Sequence, residues 1–375
     1  MWRQLVCIFL SVLAVNAAHA ATFETPATQA ILIDAATRTV LFEKNSQEHM
    51  PTSSMSKVMT MYVVFDAIKN GRLKLDDQVV ISERAWRMQG SKMFVGVGKA
   101  VKVEDLIRGV IIQSGNDAAV ALAEAVGGSE EQFATLMNNI AKKLGMNGSN
   151  FMNASGWPDP EHYSTAYDLS LLTYRLINDF PEFYKYYSEP SFTYNGITQG
   201  NRNPLLYKGI GADGVKTGHT DVAGYGLIGS TNKDGRRLIM VFNGLSSMQA
   251  RADESTKLMV WGMQTFGLWP LYKPNDKVTE IAVWQGQVSA VPVTVAEPVS
   301  ALYETADKSA LKVTLNYNEP LPTPIVKGAQ VGTMTVAYKA FPARTYKLIA
   351  AGDVPPMGIV GRFWSNVKLR LFGNE

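Results

Sequence analysis

Strand signals stand at the two ends of one long stretch of this chain, with helical patterning between them, and that order restricts the fold more than any other feature. ILIDAATRTVLFEKN reads as two short strands around a turn. PTSSMSKVMTMYVVFDAIKN then opens an apolar, Met-rich run. VEDLIRGVIIQSGNDAAVALAEAV and SEEQFATLMNNIAKKLGM follow with apolar residues at helical spacing, so the region from about Met55 to Leu144 is predicted to be mainly helical. A loop dense in Gly and Pro, SGWPDPEHYS, leads to the helical TAYDLSLLTYRLIND. From Gly214 the texture changes: GVKTGHT, GYGLIGS and RRLIMVFNGL read as three strands, with NKDG as the turn between the last two, and DESTKLMVWGMQTF closes the unit as a helix. Strands at both ends with helices inserted predict an α/β (α+β) domain, one antiparallel sheet covered by helices, over 21–272. Past GLWPLYKPND, the segments TEIAVWQG, SAVPVTVA, LKVTLNYN and GTMTVAYKA alternate or run apolar between Pro, Gly and Asn. They predict a small all-β domain over 276–355, in which no acid, base and nucleophile converge and the alternating residues are read as core.

The first twenty residues bound the compartment. Met1 to Ala20 carries one charge, Arg3, then the apolar LVCIFLSVLAV and a small-residue ending at Ala18-His19-Ala20, the pattern of a secretory signal peptide cut before Ala21. The only cysteine, Cys7, lies inside that segment, so the expected mature chain has no thiol for a disulfide, a metal site or a nucleophile. Loss of Arg3 takes the formal charge from +3 to +2, which gives no electrostatic reason to expect nucleic acid. The histidines His19, His49, His162 and His219 are scattered without ligand spacing, so neither metal nor cofactor is expected. At 375 residues, 46% of them hydrophobic, the chain can bury a sizeable core in more than one domain.

Ser54 and Lys57 open the Met-rich helix. A lysine three residues after a serine shares its helix face, so the pair has the makings of a nucleophile with its base. The motif by itself says little, because Ser-x-x-Lys recurs at Ser230, Ser309 and Ser365. Only Ser54 starts a long apolar helix, where an N-cap serine is the plainer reading. Two further stretches supply partners. Ser114-Gly115-Asn116 falls at a break between helices, and Lys216-Thr217-Gly218, the one Lys-Thr-Gly in the chain, starts a strand. The three follow one another at intervals of 60 and 102 residues (114 − 54 and 216 − 114).

In these three motifs the sequence resembles the penicillin-binding and active-site-serine β-lactamase superfamily. More narrowly it resembles the low-molecular-mass D-alanyl-D-alanine carboxypeptidases, through PTSSMSK, IRGVIIQSGNDA, YSTAYDLSLL, DGVKTGHTDVAGY and the β domain before the tail. The resemblance covers essentially the whole expected mature chain. It implies removal of the terminal D-alanine from peptidoglycan stem pentapeptides through an acyl-enzyme on Ser54, with β-lactam antibiotics as covalent inhibitors and no cofactor. Lys57 would be the base, which requires its pKa to fall well below ~10.4, as burial beside Lys216 favours. Ser114 would relay a proton to the leaving amine. Asn116 would bind the substrate amide, and Lys216, Thr217 and Gly218 would hold the carboxylate and backbone of the peptide. The backbone N–H groups of Ser54 and His219 would form the oxyanion hole, so the His219 ring need not act. Arg202 and Arg251 match positions that clamp the terminal carboxylate, for which a guanidinium fork is suited, and a solvated surface arginine is the alternative for each. Asp168 matches an acidic position near the site, though bracing a helix is the favoured role for it.

Two other functions fit the same motifs. A serine β-lactamase needs a deacylating group, and Glu161 in SGWPDPEHYS lacks the Glu-x-x-Leu-Asn pattern of the best-known class. A non-catalytic cell-wall binding or shape-organising protein has no need of three complete motifs. The tail VGRFWSNVKLRLFGNE, within 358–375, is too short to span a bilayer, but Val360, Phe363, Trp364, Val367 and Leu371 share one helical face flanked by Lys368 and Arg370. It predicts an amphipathic anchor that holds an exported enzyme on the outer face of the cytoplasmic membrane, with packing on the β domain as the alternative.

Overall fold

The computed structural model describes residues 23–339 and 341–372, so the expected signal peptide lies outside the described residues. Two compact units divide between Met263 and Gln264.

The first unit is built on a five-stranded antiparallel sheet in the order Thr39–Lys44, Gln29–Asp34, Arg236–Leu245, Gly224–Lys233, Ala212–Thr220. The two ends of the unit meet at the third strand, where Ile31 pairs with Val241 and Ile33 with Ile239. Alternate residues of these strands enter different layers. Ile31, Ile33, Ile239 and Val241 join the core shared with the inserted helices. Leu32 and Leu238 face the Met248–Thr265 helix, which approaches so closely at Gly262 that a Cβ there would lie 2.5 Å from Leu32 Cδ2. A sheet covered on both faces explains why ILID and LIMVF run apolar instead of alternating.

Five helices fill one side of the sheet: Lys57–Lys69, Val103–Ile111, Asn116–Gly127, Glu130–Leu144 and Ala166–Asp179. Lys57–Lys69 is buried on nearly every side, which is why its sequence shows no polar stripe. The later helices have ordinary caps: Ser129 accepts from Gln132 N, and Thr165 accepts from Asp168 N. Two small antiparallel strand pairs, Gln78–Val80 with Ala100–Lys102 and Ser191–Tyr194 with Ile197–Gly200, lack any signal in the sequence because each strand has only three or four residues.

The second unit begins with a strand pair, Phe266–Tyr272 against Val299–Glu304, which stands ahead of the boundary expected at 276. Its six-stranded sheet runs in the order Leu311–Tyr317, Gln330–Tyr338, Arg344–Ala350, Ala290–Val295, Lys277–Trp284, Leu321–Pro322 around a core that includes Ile281, Val293, Met334 and Leu348. The Ile359–Phe372 helix ends the described chain.

Candidate active site

Ser54 sits in a one-turn 3-10 helix, Ser53–Ser56, that runs straight into the Lys57–Lys69 helix. Neither turn nor helix has a side-chain cap, so Ser54 is not the N-cap serine of the plainer reading. Its hydroxyl lies 2.9 Å from Lys57 Nζ. The turn is gripped by two glycines. Gly156 (φ +73°) presses on the Ser53 carbonyl, where a Cβ would come within 1.8 Å of the oxygen. A Cβ on Gly218 would come within 2.3 Å of Ser53 Oγ and 3.0 Å of Thr52 O. The glycine of Lys-Thr-Gly is therefore there to let a sheet strand touch the turn that bears the serine.

Lys57 is 1% exposed, and its Nζ also reaches Asn116 Oδ1 at 2.7 Å and the Ser155 carbonyl at 2.5 Å. Asn116 is fixed in that orientation because its Nδ2 donates to Gln89 O at 2.7 Å. The two longer-range partners can only accept. As an ammonium Lys57 donates to all three partners; once neutral it has two N–H bonds and one lone pair, so giving a proton to each of the two acceptors leaves the lone pair for the Ser54 hydroxyl. Burial, reinforced by the Arg202 charge, lowers the Lys57 pKa to about 7, while the Asp117 and Glu130 charges oppose the shift.

Ser114 stands at the break between Val103–Ile111 and Asn116–Gly127, buried and with φ +60°. That left-handed conformation is costly for a serine and lets the chain turn between the two helices. Lys216 is buried with its Nζ 3.0 Å from the Thr217 carbonyl. Burial lowers its pKa far below the ordinary value, and Lys57, Arg202 and Arg251 push in the same direction. Arg251 is 8% exposed, with its guanidinium 5.7 Å from the Tyr225 ring. Its Nε is buried without a partner. Arg202 is more exposed and donates to Ser91 Oγ at 2.6 Å. Two lysines and two arginines thus repel one another around a cavity of about 260 Å³ lined by Ser54, Ser114, Thr217, His219, Tyr225 and Arg251 among others. No carboxylate is among its described lining residues. Its positive surroundings favour an anion over a cation. His219 lies over Tyr225 with ring centroids 3.9 Å apart. On the other side of the Ser54 turn is a groove of about 640 Å³, lined in part by Pro51, Ser53, Gly156, Trp157, Pro160 and Thr220.

The remaining Ser-x-x-Lys matches stand apart from this cluster. Ser230 accepts from Arg237 inside the sheet, Ser309 donates to Asp307, and Ser365 lies in the terminal helix. Asp168 is a brace: its Oδ2 accepts from Gly148 N at 2.9 Å and Ser149 Oγ at 2.7 Å. Sequence reasoning missed Asp117 and Glu130. Buried Asp117 accepts from the N–H groups of Met93, Phe94, Val95 and Ala118, which ties the 91–95 loop to the start of the Asn116 helix. Glu130 bridges Arg84 and the Ala154 N–H beside the carbonyl that Lys57 uses. An acid directly after Ser-x-Asn at a helix start was the available signal for Asp117.

Comparison with known proteins identifies the family. The D-alanyl-D-alanine carboxypeptidase family model matches residues 14–246, and the model of the penicillin-binding protein 5 C-terminal domain matches 266–356. D-alanyl-D-alanine carboxypeptidase DacC of Escherichia coli is 39% identical over 360 residues, 93% of this chain and 90% of that one. Penicillin-binding protein 5 of Haemophilus influenzae superposes with a TM-score of 0.81 at 34% identity, over 89% of this chain and 99% of the other. The ampicillin-bound form of penicillin-binding protein D2 from Listeria monocytogenes superposes at 0.60 with 33% identity, over 64% of this chain and 99% of that one. The chain belongs to the D-alanyl-D-alanine carboxypeptidase family of low-molecular-mass penicillin-binding proteins and is a serine-type carboxypeptidase of that specificity.

Proposed function

We propose that this carboxypeptidase removes the terminal D-alanine of peptidoglycan stem pentapeptides through an ester on Ser54. The observation that carries the assignment is the set of three partners around Lys57, two acceptors and one hydroxyl, which suits a neutral amine whose lone pair takes the serine proton. Ser54 Oγ attacks the carbonyl of the penultimate D-alanine as its proton passes to Lys57 Nζ. The backbone N–H groups of Ser54 and His219 stabilise the oxyanion. The C–N bond then breaks, Ser114 relays the proton to the leaving amine, and water hydrolyses the ester.

The cationic cavity supports the direction of binding. Arg251 and Arg202 line it with no carboxylate among the described lining residues, so the terminal carboxylate of the peptide belongs there, with Thr217 as its hydroxyl donor. The acyl part extends toward the Trp157 groove, and Asn116 and the Ala212–Thr220 strand hold its amides. A β-lactam enters as the same acyl donor and carboxylate. The absence of a carboxylate from the cavity lining argues against rapid deacylation of the kind a β-lactamase requires.

The enzyme works outside the cytoplasm, held to a membrane surface by the Ile359–Phe372 helix. Ile359, Val360, Phe363 and Trp364 are 80, 72, 63 and 64% exposed, and the helix of 14 residues is only about 21 Å long. No helix among the described residues is long and apolar enough to cross a membrane. The side chains of Lys368, Arg370 and Leu371 lie outside the described residues.

The test is release of D-alanine from a pentapeptide ending in D-Ala-D-Ala, together with labelling by a fluorescent penicillin, in wild type and Ser54→Ala. Both signals should vanish in the variant while its melting temperature is kept. Label recovered on any other serine overturns the assignment.

A further inference from the structure

Behind the Ser54 turn runs a buried polar chain that the reaction above does not use. His162 Nε2 lies 2.6 Å from Ser56 Oγ, and Ser56 Oγ is in short contact with Thr52 Oγ1. All three residues are buried, Ser56 completely. On its far side the imidazole accepts the Met152 N–H at Nδ1, 3.2 Å away. A nitrogen that accepts carries no proton, so the ring proton sits on Nε2 and is donated to Ser56. Phe151 packs edge-on against the ring at 5.6 Å and fixes its plane.

Thr52 and Ser56 bracket the nucleophile by two residues on either side. The Thr52 carbonyl closes the turn by accepting Met55 N–H at 3.1 Å. Ser53, between Thr52 and Ser54, has φ +46°, a conformation a serine holds only when its surroundings impose it. The hydroxyls of Thr52 and Ser56 do not cap the helix. Ser56 is committed instead to a histidine 106 residues further along the chain, and Thr52 to Ser56. The charged groups that face the ring are Lys57 and Asp159, and burial keeps the imidazole neutral, with its pKa lowered to about 4. Protonation would put an N–H against Met152 N–H and add a positive charge near Lys57.

We propose that His162 is a positioning residue for the acylation step: through Ser56 and Thr52 it clamps the Thr52–Ser56 turn, so that Ser54 Oγ stays on the Lys57 amine. The inference rests on the assignment of Ser54 as nucleophile and adds a requirement that no member of the three motifs supplies. A displacement of order 1 Å at the reacting atom costs up to about 10²-fold in rate.

The experiment measures penicillin acylation by rapid mixing, separating the pre-covalent dissociation constant from the acylation rate constant, in His162→Phe, His162→Gln, Ser56→Ala and the double variant His162→Phe with Ser56→Ala. His162→Phe keeps the ring and loses both hydrogen bonds, and it should acylate about 10- to 100-fold more slowly with an unchanged dissociation constant. Gln places an N–H donor where Nε2 stood, so His162→Gln should recover most of the rate. The double variant should be no slower than the slower single variant, because the two act in series. A folded His162→Phe that acylates within twofold of wild type overturns the proposal. So does a glutamine variant as slow as phenylalanine, or losses that multiply in the double variant. If His162→Phe does not melt cooperatively, Ser56→Ala carries the same expectation and the same refutation. Labelling of Ser54→Ala is measured alongside: persistent label defeats the nucleophile assignment, whereas a dark Ser54→Ala with a fast His162→Phe defeats only the clamp.

Discussion

Replacing Lys57 by arginine keeps a basic side chain at the head of the helix and removes the lowered pKa that the proposed base requires. Burial brings the lysine from 10.5 to about 7. At pH 7.5 roughly three-quarters of it is therefore neutral. Arginine ordinarily holds its proton roughly 100- to 2000-fold more tightly than lysine, so under the same burial only about 1 in 30 to 1 in 600 of it is neutral at pH 7.5. Protonation state alone predicts a loss of about 25- to 500-fold in acylation. Crowding adds to it, because the Lys57 amine already fills a site whose three partners stand at 2.5 to 2.9 Å. The assay is time-resolved acylation by a fluorescent penicillin between pH 5.5 and 9. In wild type the reactive form is the neutral one, so the rate should rise about tenfold per pH unit up to about 7 and then level off. The arginine variant should still be rising at pH 9. A variant within threefold of wild type at pH 7.5, or a wild-type rate that is flat from pH 6 to 8, would refute the neutral-amine argument. The sign of the linked stability effect is also defined. The unfolded lysine holds its proton up to 10.5 and the folded one releases it near 7. The penalty from this group is thus full below pH 7, about 5 kcal/mol, and fades as pH rises from 7 to 10.5.

Three further outcomes are expected. Gly218→Ala puts a Cβ 2.3 Å from Ser53 Oγ, and either strand or turn must move; penicillin labelling should slow at least about tenfold in a protein that remains folded, and an unchanged rate would show that the turn yields freely. Arg251→Gln removes a charge-assisted contact, so KM for a peptide with a free terminal carboxylate should rise by about 10- to 100-fold while that for its C-terminal amide changes by less than threefold. Equal effects on both peptides would remove Arg251 from the carboxylate site. Truncation before Gly361 should release the enzyme from anionic vesicles with D-alanine release intact, and a truncated protein that still sediments with the vesicles would rule out the anchor.

What the sequence determined by itself was what local pattern can carry. Strand, helix and strand texture in order is enough for a sheet covered by helices, because periodicity follows from which face of each element is buried. The Ser54, Ser114 and Lys216 motifs were legible because each couples a residue type to a local setting: a helix start, a helix break and a strand. Elements without such a pattern stayed hidden. Phe266–Tyr272 carries a Gly and a Pro, and the strands of the two small pairs are too short to show a period. The tertiary structure decided which of four identical Ser-x-x-Lys patterns meets its partners, and how. Lys57 takes its acceptors from Asn116 and Ser155, 59 and 98 residues away, and these contacts leave no trace in the spacing of the serine and lysine. The same holds for Asp117 on the 91–95 loop, for Gly156 against Ser53, and for His162 behind Ser56. A lysine becomes a base only when folding removes its water and leaves its lone pair one place to go, and both conditions are set by residues far from it in the chain.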